Sequence, residues 1–167
     1  TGQLQTLAAI ASEEGVRLVH VKPHGALYNQ AARDSDLAAS IATAVRDLDA
    51  NLILVGLAGS ALPRAGQAAG LRVIHEAFAD RRYLGDGNLA PRSIPGSVID
   101  THADAVEQAR SIVLDGCVST LDGFQLALLA DSICLHGDKD DAPEFARLLH
   151  QSLIEANVLI QPPYRSE

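Results

Sequence analysis

The chain is predicted to be an α/β protein with a mostly parallel sheet. Three observations carry this: helical and strand patterns alternate along the sequence, two apolar runs are near-continuous, and charged residues gather where such runs stop. Alternation of this kind is the signature of βα units. Near-continuous apolar strands are expected where helices cover both faces of a sheet.

The elements follow in order. Residues 3–14 read as an amphipathic helix and 17–22 as a strand that runs into Pro23, which has no N–H and marks where ladder bonding must stop. Residues 35–49 read as a helix whose opening DSDLAAS offers capping side chains, and LILVGL at 52–57 as a buried strand. A helix from Ser60 to Gly70, a strand over 71–76, a helix over 102–115, a strand over 132–136 and a last helix over 143–156 complete the alternation. Without an internal repeat, linker or low-complexity tract, one domain over 1–167 is the economical reading.

Composition bounds the function. The 167 residues are 47% hydrophobic and 20% charged, a globular balance. No apolar run approaches the ~18 residues that span a bilayer, so no membrane role is expected. A net charge of −8, with 13 bases not gathered into a stripe, argues against nucleic acid as a partner. Residues 1–15 lack the basic region of a secretory signal. Cys117 and Cys134 lie in apolar contexts without CxxC spacing, which suits buried structural thiols and a reducing, cytoplasmic setting.

Chemistry-bearing residues concentrate at strand ends. LVHVKPHGALYN (18–29) places Lys22 and His24 at the carboxyl edge of its strand, and ADSICLHGDKDD (130–141) places His136, Gly137 and Asp138 at another. The run LRVIHEAFADRRY (71–83) delivers Glu76, Asp80, Arg81 and Arg82, and a Gly/Pro-rich loop with Arg92 follows. In parallel α/β sheets that edge is where ligands bind.

VKPHGALYN, EAFADRRYLGDGNLAPRSIPGSVI and ICLHGD, in this order and at these separations, resemble the LamB/YcsF family. The resemblance covers essentially the whole chain. It implies a deformed β/α barrel similar to that of polysaccharide deacetylases. It also implies a role as the A subunit of a bacterial ATP-dependent 5-oxoprolinase, which opens 5-oxo-L-proline to L-glutamate with companion subunits B and C. Family members begin with a further segment rich in Asp, Asn, Glu and His, so this chain is expected to correspond to about the last two-thirds, with a barrel incomplete at its N-terminus. An open sheet edge would favour homo-oligomer formation.

The candidate roles are then as follows. His24 and His136 suit general acid and base chemistry or metal ligation, against a bland structural role. Lys22 suits an oxyanion or phosphate, or simply snorkels at a strand end. Asp138 and Glu76 suit water activation, metal binding or the substrate N–H, or else cap a helix or pair with an arginine. Asp80 joins Glu76 and the arginines as a substrate-binding candidate. Among Arg81, Arg82 and Arg92, at least one should clamp the substrate carboxylate, Arg92 being preferred for its loop. His20, His75 and His102 are assigned structural or surface places. No GxxxxGK[ST] loop occurs, so ATP is expected to be handled largely by the companions. A divalent metal on His24, His136 and Asp138 is the deacetylase-like expectation. Two other functions compete: a metal-dependent amidohydrolase or carbohydrate deacetylase without ATP, and a non-catalytic subunit that binds and presents a ligand.

Overall fold

The computed structural model describes residues 2–137 and 140–163, which form two compact units, Thr1–His75 and Glu76–Glu167. Asp138, one of the candidate catalytic residues, lies outside the described residues.

The first unit opens with helix α1 (Gly2–Glu13), strand β1 (His20–Val21), helices α2 (Ala26–Arg33) and α3 (Ser35–Leu48), strand β2 (Ile53–Leu57) and helix α4 (Ala61–Ala68). The β1 and β2 strands pair in parallel, with His20 opposite Ile53 and Val21 opposite Leu54. All five β2 residues are buried, as a strand covered on both faces requires. Its core is built from small side chains: Ala31, Ala38, Ala42 and Ala61 pack with Val45, Leu52, Leu54, Leu62 and Leu71. Gly66 of α4 shows how closely the layers approach, because a Cβ placed there would lie 2.7 Å from Val73 Cγ1 and 3.1 Å from Leu54 Cδ2.

Two expectations for this unit are corrected. The strand predicted over 17–22 pairs only at His20 and Val21, so Lys22 lies beyond the ladder, next to buried Pro23. Helix α2 was not anticipated, because His24 and Gly25 read as loop. Gly25 supplies a positive φ of 63° at its N-cap, and Tyr28, Ala31 and Ala32 then fall on one buried face at helical spacing. Asp34 ends α2 and starts α3, accepting the Asp36 and Leu37 N–H groups at 3.0 Å each.

Strand β3 (Arg72–Phe78) carries the chain into the second unit. There follow helix α5 (His102–Arg110), a π-helical turn (Ser111–Asp115), strands β4 (Cys117–Ser119), β5 (Gln125–Ala127) and β6 (Ser132–Cys134), and helix α6 (Ala142–Glu155). The helix predicted over 102–115 is continuous in extent but changes to π geometry at Ser111 before Gly116 ends it in the left-handed region. The antiparallel β4–β5 hairpin was not anticipated. A core of Ala79, Ile99, Ala105, Ala109, Phe145, Leu149 and Leu153 joins α5 to α6. The two cysteines are half-buried, not fully buried as expected: Cys117 lies on a two-stranded hairpin and Cys134 at the end of a three-residue strand. Among the described residues, no helix is long and apolar enough to cross a membrane.

Candidate functional site

Parallel register assembles the main chemical pair. Glu76, Ala77 and Phe78 of β3 stand opposite Ser132, Ile133 and Cys134 of β6. Two residues past each paired end come Asp80 and His136, so the register that aligns Phe78 with Cys134 also brings these two side chains together. His136 Nδ1 lies 2.7 Å from Asp80 Oδ2. An ionised carboxylate only accepts hydrogen bonds, so Nδ1 carries the hydrogen and Nε2 becomes the basic nitrogen of the neutral ring. The imidazole is further oriented by stacking on Phe78, with centroids 5.7 Å apart. Asp80 Oδ1 is buried and has no hydrogen-bond partner among the described residues.

The backbone carrying Asp80 is held by Gln108, which sequence reasoning missed. Its Nε2 donates to the carbonyls of Phe78 at 2.9 Å, Ala79 at 3.1 Å and Arg81 at 2.8 Å. Its Oε1 accepts from Arg82 at 3.3 Å. The signal was faint, a lone glutamine on the apolar face of an amphipathic helix.

The loop from Ala79 to Asp100 is tied together by backbone bonds, Arg82 N–H to Ser97 and Ile99 N–H to Asp80 among them. Arg81 is 6% exposed and its guanidinium donates to the Ala90 carbonyl, which makes it a brace inside this loop. Burial first, and then the charge of Arg92, lower its pKa below the ordinary arginine value. Tyr83 is fully buried and its hydroxyl accepts the Phe78 N–H at 2.8 Å; burial pushes its pKa well up. Glu76 is a buried residue inside β3, whereas Arg92 is exposed on its loop as expected.

A small groove adjoins the pair, lined by Asp80, His136, Thr101, His102, Asp141 and Phe145 among others, with a volume of about 30 Å³. His102, read from sequence as structural or surface, places Nε2 3.0 Å from Asp141 Oδ2, within ion-pair distance, and stacks on Phe145 with centroids 5.2 Å apart. A larger groove of about 540 Å³ lies between α5 and the β4–β5 hairpin. Its hydroxyls are already engaged, Ser119 with Gln125 and Thr120 with Phe124.

In the first unit, Lys22 Nζ lies 5.7 Å from the centroid of the Tyr28 ring, a cation–π contact, and His24 is exposed just before α2. Among the described residues, no group of three or more His, Cys, Asp or Glu side chains could hold a metal ion. Asp138, one of the three residues of the expected metal set, lies outside the described residues.

A model of the LamB/YcsF family matches residues 1–167. The chain is 48% identical over 165 residues to the 5-oxoprolinase A subunit of Geobacillus kaustophilus, covering 99% of this chain and 64% of that protein. It is 56% identical over 151 residues to the subunit of the same name from Methylococcus capsulatus, covering 90% and 58% respectively. Among solved structures, a lactam utilization protein from Thermus thermophilus superposes with a TM-score of 0.82 at 46% identity, over 93% of this chain and 62% of that one. The chain thus spans less than two thirds of the length of these relatives. The likeness bears out the α/β class with a parallel sheet and is consistent with a deformed barrel.

Proposed function

Because this chain belongs to the LamB/YcsF family, we propose that it serves as the A subunit of an ATP-dependent 5-oxoprolinase and that Asp80 and His136 form its acid–base centre. The observation that carries this reading is the 2.7 Å contact between them at the ends of two paired parallel strands.

A five-membered lactam is a resonance-stabilised amide with little strain, so water attacks only after the carbonyl is activated. Transfer of a phosphoryl group from ATP to the amide oxygen, with loss of the N–H proton, gives an imidate phosphate and ADP. Water then adds at the ring carbon. His136 Nε2 takes one water proton and delivers it to nitrogen, while Asp80 stabilises the imidazolium in between. As the C–N bond breaks, the second proton also ends on nitrogen, leaving a free amine and an acyl phosphate. A second water converts the acyl phosphate to glutamate and inorganic phosphate.

Lys22 would stabilise negative charge on the oxyanion or phosphoryl group, with His24 as a further acid or base. Arg92, on its exposed loop, would clamp the substrate carboxylate, and Glu76 and Asp138 would address the ring N–H. Companion subunits B and C would supply most of the ATP site. The reaction would take place in the cytoplasm.

The test is ATP-dependent release of glutamate from 5-oxoproline, with this subunit supplied with and without its companions. Turnover that needs ATP and all three components supports the reading. Turnover driven by Zn²⁺, Mn²⁺ or Co²⁺ without ATP would replace it with a metal-dependent amidohydrolase.

A further inference from the structure

The small groove is lined by two histidine–carboxylate pairs. His136 is hydrogen-bonded to Asp80 through Nδ1 and stacks on Phe78; His102 has Nε2 3.0 Å from Asp141 Oδ2 and stacks on Phe145. The Nδ1 bond to Asp80 leaves His136 Nε2 for other contacts, and with Nε2 facing Asp141, Nδ1 is the remaining ring nitrogen of His102. Rotation of either ring is opposed by its aromatic neighbour as well as by its carboxylate.

Volume limits what fits. A water takes up about 30 Å³ in the liquid and needs on the order of 10–15 Å³ of cavity, plus two to four polar partners. The groove therefore has room for one or two waters. Thr101, Asp80 and the two imidazoles supply polar partners in number.

We propose that this groove holds the hydrolytic water, with His136 Nε2 accepting its proton and His102 Nδ1 fixing its position. The inference rests on the 5-oxoprolinase reading and adds to it the place from which water enters. His102 takes no proton in the step: the water oxygen bonds to the activated ring carbon, the proton passes to His136, and His136 returns it to the leaving nitrogen. Fixing the water before reaction removes an entropic part of the barrier.

Two substitutions separate the two edges of the ring. In His102→Asn the amide nitrogen falls near the Nδ1 position, keeping the groove contact and losing Asp141. In His102→Gln it falls near Nε2, keeping Asp141 and losing the groove contact. In the complex with its companions, His102→Gln should lower kcat for glutamate release about 10- to 100-fold, the scale of a lost positioning or proton-transfer contact. KM for 5-oxoproline and the melting temperature should stay close to those of the parent, and His102→Asn should be the more active of the two. A purely structural His102 gives the reverse order, because the Asp141 contact then matters most, and that order would overturn the proposal.

An activity-independent arm keeps this distinct from the functional reading. A high-resolution crystal structure of the protein should show an ordered water within hydrogen-bond distance of both His136 Nε2 and His102 Nδ1. A side chain or a metal ion at that point would overturn the water site whatever the reaction. Should the assembled complex release no glutamate, the functional reading fails, and the crystallographic result still decides the water site.

Discussion

Replacing Gln108 by leucine removes the side chain that donates to the carbonyls of Phe78, Ala79 and Arg81. The amide NH₂ has two hydrogens for three acceptors, so about two bonds' worth of stabilisation is lost. Leaving a buried polar group without its partner costs about 1–3 kcal/mol. Two such losses, offset in part by the apolar leucine, come to about 2–4 kcal/mol, a large share of the ~5–15 kcal/mol that holds a domain folded. At about 2–4 °C per kcal/mol for a domain of this size, the melting temperature should fall by roughly 5–15 °C. Gln108→Glu should be worse at neutral pH, because a carboxylate would face three carbonyl oxygens. It should recover partly on acidification, when the protonated acid donates one hydrogen bond. Calorimetric melts of both variants at neutral and mildly acidic pH test this, with glutamate release as a second readout, since Asp80 lies between two of the carbonyls Gln108 holds. A melting temperature unchanged in Gln108→Leu, or Gln108→Glu more stable at neutral pH than Gln108→Leu, would refute the reasoning.

In the first unit, Gly66→Val should cost about 1–3 kcal/mol, the scale of an overpacked core, because Val73 and Leu54 already fill the space of a Cβ; urea titration reads it. Asp49 accepts the Asn51 backbone N–H at 2.8 Å and its side-chain amide at 2.9 Å, and these bonds lower its pKa. A depressed carboxylate stabilises the fold above its unfolded pKa of about 4, so the stability difference between the parent and Asp49→Ala should be present at neutral pH and vanish as pH falls below that range. Lys22→Ala and His24→Ala should each lower coupled lactam opening at least ~100-fold, on the scale of a lost oxyanion or acid–base group. Near-parent turnover by both folded variants would remove them from the site.

Much of the framework was legible because it depends on local patterns. Asp34 was readable as a cap from DSDLAAS, and the fully buried β2 from LILVGL, since both signals lie within one short segment. Helix α2 was hidden because the tolerance of Gly25 for a positive φ resembles a loop signal until a helix is seen to follow. At the site, sequence located His136 and Asp80 at strand ends but not their contact, which depends on a register set by backbone pairing 56 positions apart in sequence. Gln108 and His102 carried no distinguishing motif. What they do depends on carbonyls and a carboxylate that folding brings to them. Arg81, one of three arginine candidates for the substrate carboxylate, carried no sequence signal of its burial or of its bond to the Ala90 carbonyl, which arise from how the 79–100 loop folds.

The most direct test of the central claim is the rate of ATP-dependent glutamate release by the assembled enzyme carrying Asp80→Asn. The substitution keeps the size of the side chain and its ability to accept from His136 Nδ1, but it removes the charge that stabilises the imidazolium. The account predicts a fall in kcat of at least ~100-fold with the fold intact, on the scale of a disabled acid–base pair. A correctly folded Asp80→Asn enzyme that releases glutamate at close to the parent rate would contradict it.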